Sequence, residues 1–205
     1  QHVQADGQPP PPEVLGSVGH VATGVVIRIL SNTRHELADG SIGNIVVKTP
    51  LAFSGYWQRP ELDDATLIGG WVITGDMGYF DSERRLHVLG RRADTVRRAG
   101  QEIYPRQVEE VAHAHAAVRD ACLVQVHGQA HLVVTPRHTH RHAADPVALG
   151  AEIQGWLQQH LEPRLQPDRV HVVDSIPRSF LNKVLRREVR EQLTRRVPIQ
   201  EIEHA

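Results

Sequence analysis

Asp76 closes the run GWVITGD (70–76), directly after Gly75. A carboxylate at the end of a short strand has its backbone held and both oxygens free, which suits bidentate acceptance from a vicinal diol such as a ribose. Asp after Gly is also ordinary turn composition, and the residues alone leave both readings open. Lys183 lies in IPRSFLNKVLRREVR (176–190), at the start of a helical pattern after a proline-initiated loop. A compact, flexible cation there can reach a transferring phosphate or a carboxylate and neutralise charge as it develops, whereas a lysine on a basic helix face needs only solvent. Arg84, Arg85, Arg91, Arg92, Arg97 and Arg98 could meet phosphates or simply form a solvated face. No aromatic residues interleave with them, which argues against a single-strand nucleic-acid platform. His138, His140 and His142 alternate in RHTHRH, but no further ligand follows at metal-site spacing, so a surface loop is the reading and no metal is assigned. The phosphate-loop, dinucleotide and nucleophile-elbow glycine motifs are absent.

These residues need elements to hold them. Residues 1–15 are polar and contain the run Pro9–Pro12, a linker or frayed end. Residues 24–30 (GVVIRIL) and 44–48 are β-branched, with Asp39-Gly40 as a turn, and predict an antiparallel pair. Pro60 opens a short helix, residues 71–74 form a short strand stopped by Gly75-Asp76, and 79–80 with 86–89 flank a hairpin turn. The period then changes. Pro105 starts a helix with Val108, Val111, Ala112 and His115 on one face, and 121–126 and 130–135 are strands joined by a tight turn at His127-Gly128-Gln129. Asp145-Pro146 signals a helix start, 169–174 is a third strand, and a last helix runs from Asn182. Between the halves, residues 90–105 (GRRADTVRRAGQEIYP) read as a pivot followed by a rigid element.

The whole is α+β: a β-rich, barrel-like part over 16–90, then a small α+β domain over 91–205 with a three-stranded sheet and helices. Composition is that of an ordinary globular protein, 40% hydrophobic and 23% charged, with a formal net charge of −1 that gives no general pull toward nucleic acid or anionic membranes. No apolar run approaches the ~18 residues of a membrane span. Cys122 is the single cysteine, in a strand pattern that suits a small core residue, which excludes an internal disulfide and fits a cytoplasmic location. The chain starts with Gln1 and its only methionine is Met77, so it is read as a piece of a longer protein.

Residues 43–57 (GNIVVKTPLAFSGYW), 70–76, 90–110 (GRRADTVRRAGQEIYPRQVEE) and 176–190 stand in the order of four motifs of the acyl-adenylate-forming (ANL) superfamily. That superfamily includes acyl- and aryl-CoA synthetases, adenylation domains of peptide synthetases and firefly luciferase. Residues 16–30 resemble the segment such enzymes carry just before. The resemblance implies that Asp76 binds the ribose hydroxyls of ATP, that Arg91 lies close to the same ribose, and that Lys183 touches the substrate carboxylate and the α-phosphate. It implies a hinge at Ala93 or Asp94, and a loop of Arg98, Ala99 and Gly100 that approaches the thiol tunnel once the C-terminal domain has rotated. ATP and Mg²⁺, a carboxylic acid, and CoA or carrier-protein phosphopantetheine are the implied cofactors and partners, together with a missing N-terminal part of the same enzyme. Without that part the chain is expected to be inactive. Ala93 stands where the family usually has Asp or Lys, and Asn182 where it usually has Gly. The alternative reading is a non-catalytic carrier-protein-binding or regulatory module of the same fold.

Overall fold

The computed structural model describes residues 16–137 and 145–196. Contacts within it divide the chain into two units, with the boundary between Ala93 and Asp94.

In the first unit the β-branched runs form strands β1 (Val26–Leu30) and β2 (Gly43–Lys48), paired antiparallel with Ile29 opposite Ile45. Helix α1 (Pro60–Thr66) starts on its proline, and β3 (Leu67–Ile68) leads into β4 (Trp71–Phe80). One edge of β4 carries β2; along the other, β3 pairs with its first residues and β5 (Leu86–Arg91) with its last, all antiparallel. Ile29, Ile45, Phe80 and Leu86 form the buried core, flanked by Ile27, Leu37, Val47 and Val88.

A 3₁₀ turn, Arg92–Asp94, spans the boundary. In the second unit β6 (Val96–Arg98) and β7 (Gln101–Ile103) form a hairpin whose two turn residues, Ala99 and Gly100, have φ of 47° and 77°. Two positive φ values in a two-residue loop are the type I′ geometry that matches strand twist. Helix α2 (Pro105–His113) follows, then β8 (Val118–Val126) and β9 (Gln129–Pro136), joined by a second two-residue turn at His127 and Gly128. Helix α3 (Pro146–His160) begins where the Asp145 carboxylate accepts from the Val147 N–H at 3.1 Å. Strand β10 (Arg169–Val172) pairs parallel with β9, and α4 (Arg186–Arg196) ends the described chain.

The resulting sheet, ordered β10-β9-β8, is covered on both faces. Leu123, Leu132 and Val134 pack with Val108 and Ala112 of α2 and Leu149, Ile153 and Leu157 of α3. Cys122, Val124, Val126 and Val133 pack with Val189 and Leu193 of α4 and with Ile176. Burial on both sides explains why ACLVQV is a nearly continuous apolar run and not an alternating one.

Three sequence expectations need correction. Strand β4 does not stop at Gly75-Asp76 but passes through them as a bulge. Helix α2 ends at His113, so His115 is buried beyond it and not on its face. The last helix starts at Arg186, because residues 177–185 turn back on themselves first. His138, His140 and His142 lie outside the described residues.

Candidate functional site

The bulge in β4 places Asp76. Between Ile73, opposite Val46, and Met77, opposite Asn44, β4 has three residues where β2 has one. Gly75 makes this possible with φ of 75°, a left-handed backbone that residues with a Cβ adopt at a cost. Thr74 holds the bulge: its hydroxyl donates to the Ile45 carbonyl at 2.9 Å and accepts from the Asp76 N–H at 3.0 Å. On its other edge Asp76 stands directly opposite Arg91 of β5. Arg91 Nε lies 3.1 Å from the Asp76 carboxylate, and its Nη1 donates to the Thr74 carbonyl at 2.7 Å. The carboxylate is half-buried and the guanidinium exposed. A diol could therefore meet a carboxylate with free lone pairs beside a fixed cation. Bulges commonly re-aim a side chain next to a site in this way.

Lys183 occupies a hairpin, not a helix start. The Ser179 N–H donates to the Lys183 carbonyl at 2.8 Å, the Asn182 N–H to the Ser179 carbonyl at 2.9 Å, and the Leu185 N–H to the Pro177 carbonyl at 2.9 Å. Asn182 has φ of 62°, so it supplies the left-handed residue that the tight turn requires and that glycine usually fills. At the tip Phe180 and Leu181 are exposed, and Lys183 is exposed beside them. Among the described residues its ammonium has no hydrogen-bond or ion-pair partner.

Arg98, Ala99 and Gly100 share the β6–β7 turn, with Ala99 and Gly100 exposed. Arg98 is not a free cation: its Nε donates to Asp168 at 2.8 Å and its Nη1 to the Pro163 carbonyl at 3.1 Å, which fastens the turn to its own unit. Ala93 is exposed, and its methyl side chain has no polar group to tether it. Its neighbours are tethered. Arg92 Nη1 donates to Asn32 Oδ1 at 2.6 Å and Asn44 Oδ1 at 2.8 Å in the first unit, and Asp94 lies 3.5 Å from Arg186 Nε in the second.

Cys122 is buried under α4, and burial pushes its thiol up to about 12, so it is a core residue and not a nucleophile. Among the described residues no group of three or more His, Cys, Asp or Glu side chains converges as a metal ion needs. No helix among them is long and apolar enough to cross a membrane. Thr74, Arg178 and Arg186 escaped the sequence reading. The arginines sit inside the quoted motifs, but only the fold reveals which carboxylates and amides they meet.

Residues 107–183 match the family described as AMP-binding enzyme C-terminal domain. Over most of its length the chain is similar to the C-terminal portion of acyl-adenylate-forming enzymes. It is 34% identical over 177 residues to a 2-succinylbenzoate–CoA ligase of Geobacillus kaustophilus, spanning 86% of this chain and 36% of that protein. A fatty acid–[acyl-carrier-protein] ligase of Streptomyces coeruleorubidus is 29% identical over 87% of this chain and 34% of its own length. The structure of an amide bond synthetase from Marinactinospora thermotolerans superposes with a TM-score of 0.80 at 32% identity, over 89% of this chain and 37% of that one. The chain thus spans little more than a third of the length of these relatives.

Proposed function

We propose that this chain is the C-terminal portion of an ATP-dependent ligase that adenylates a carboxylic acid and passes the acyl group to the thiol of CoA or of carrier-protein phosphopantetheine. The observation that carries this reading is the pairing of Asp76 and Arg91 at the β4 bulge, in a chain that also holds out Lys183 on an exposed hairpin. Asp76 accepts from the two ribose hydroxyls and Arg91 lies against the same sugar, so the nucleotide is oriented by a fixed pair. ATP supplies an electrophilic α-phosphorus and pyrophosphate as leaving group. The Lys183 ammonium donates to the acid's carboxylate and to α-phosphate oxygens, where negative charge builds as the new bond forms. Mg²⁺ would accompany ATP and offset the charge of its triphosphate.

In the second half-reaction the Arg98–Gly100 turn takes the place of Lys183, with Ala93 as the swivel. Support for the swivel comes from its neighbours: Arg92 is bonded by its side chain within the first unit and Asp94 within the second, so a change of backbone torsion falls on the residue between them. The relatives differ in what receives the acyl group, by name CoA, an acyl carrier protein or an amide-forming acceptor. A thiol is the acceptor proposed here, and the rest of the acid pocket is assigned to a large domain outside this sequence.

The test uses the ligase that contains this chain together with its large domain. Lys183→Ala should lower acid-dependent pyrophosphate exchange by ~10²–10³-fold, the loss that removing one charge-stabilising donor typically causes. Thioester formation from supplied acyl-adenylate should stay within severalfold of the unsubstituted enzyme. Equal loss in both steps would remove the role assigned to Lys183.

A further inference from the structure

The Lys183 hairpin has little of its own to hold it. Residues 177–185 make a handful of backbone bonds, and an isolated two-stranded hairpin is marginal in water. Its tip offers no apolar anchor, since Phe180 is 97% exposed. Yet a group that must meet a transferring phosphate has to be held in place to a fraction of an ångström.

Two guanidiniums supply what the hairpin lacks. Arg178, in its first arm, donates from Nη1 to the carbonyl of Asn182, the residue just before Lys183, at 2.8 Å. Its Nη2 donates to Asp120 Oδ1 at 2.7 Å on β8. Asp120 is itself fixed, accepting from the Thr135 hydroxyl at 3.0 Å and from Arg119 Nε at 2.8 Å through its other oxygen. Arg186, three residues after Lys183, faces Glu109 of α2 with both terminal nitrogens, at 2.6 and 2.9 Å. The same Nη1 donates to the Leu123 carbonyl at 3.0 Å, while Glu109 accepts from the Leu123 N–H at 2.7 Å. Arg186 and Glu109 together therefore satisfy both backbone groups of Leu123 on the open edge of β8. Nε of Arg186 faces Asp94, next to Ala93.

We propose that Arg178 and Arg186 are positioning residues for Lys183, clamping the two ends of its hairpin to Asp120 and Glu109 and, through Asp94, registering the lysine to the residue beside the swivel. This rests on the role proposed for Lys183 above. A planar fork suits the task, because each arginine spans two acceptors in a fixed geometry that a single ammonium nitrogen reproduces only in part.

Two arms test it. In the whole ligase, Arg178→Gln should lower the kcat of acyl-adenylate formation by ~10–100-fold, the scale set by a misplacement of about 1 Å, with KM for ATP within about twofold. Arg178→Lys should recover part of the loss, and thioester formation from supplied acyl-adenylate should be unaffected. In the 205-residue chain, Arg178→Gln and Arg186→Lys should each speed amide hydrogen exchange at Asn182, Lys183 and Leu185 by about tenfold, with the core amides of Val124 and Leu132 unchanged. Unchanged adenylation with unchanged hairpin exchange overturns the proposal. So does an equal fall in both half-reactions, or faster exchange throughout the core, because either marks general loss of structure. Should Lys183→Ala leave adenylation intact, the role of Lys183 falls, and the exchange arm still decides whether the arginines hold the hairpin.

Discussion

Neutral His131 is a residue on which the stability of the second unit leans. It is 1% exposed on β9, with Nδ1 2.8 Å from Nε2 of His171 on β10. Burial, reinforced by His171 and Arg169, pulls its imidazole down to about 4 from the usual 6.5, while Asp168 acts weakly in the other direction. The unfolded chain therefore takes up this proton first as pH falls. The stabilisation is complete above about pH 6.5 and shrinks as pH drops toward 4. Urea unfolding at pH 7 and pH 5 should differ by on the order of 2 kcal/mol, and His131→Leu should flatten that difference. A slope unchanged in the variant would place the acid sensitivity elsewhere. None of this could be read from the sequence, where His131 is one of fourteen histidines and nothing marks its partner across the sheet. Asp76 and Lys183 were legible as candidates because their motifs are local. Their supporting partners were not: Asp120 lies 58 positions from Arg178 in the sequence, and Glu109 lies 77 from Arg186.

Strand β4 shows why some elements misread. Gly75-Asp76 has the composition of a turn, and a period-two pattern cannot reveal that two neighbouring strands continue to pair across it. The same strand depends on a second glycine for a different reason. A Cβ on Gly78 would lie 2.3 Å from the His87 carbonyl oxygen and 2.8 Å from Ile45 Cδ1. Gly78→Ala must push β5 from β4 or shift Ile45, at a cost on the order of 1–3 kcal/mol, measurable by chemical denaturation. Because β5 carries Arg91, its displacement should also weaken nucleotide binding in the whole ligase if Arg91 has the role proposed above. A substitution without measurable cost would mean that β4 and β5 already tolerate separation at this point. Other elements were legible because local chemistry and packing agree: Pro60, Pro105 and Pro146 each open a helix, and His127-Gly128 closes a hairpin. The last helix was drawn too early since Val184 and Leu185 continue its apolar spacing, while the left-handed backbone at Asn182 and the bonds back to Ser179 and Pro177 keep them in the hairpin.

Across the molecule, the hydrophobic period changes near Gly90, and the strand-rich and helix-bearing stretches build separate cores. The turns at Ala99-Gly100 and the tethers on either side of Ala93 were hidden within an arginine-rich stretch that composition alone describes as solvated. The core of the second unit contains the chain's one sulfhydryl, and its burial has a practical result. With α4 seated, the Cys122 thiol is out of reach of alkylating reagents and resists ionisation, so modification has to wait for an opening event. The labelling rate relative to the denatured chain then reads the open fraction directly. Stability of ~5 kcal/mol corresponds to labelling slowed by about 10³–10⁴-fold, and rapid labelling in native buffer would contradict the seating of α4. Since residues 16–93 contain no cysteine, such a measurement times the breathing of the second unit alone, without a reporter having to be introduced.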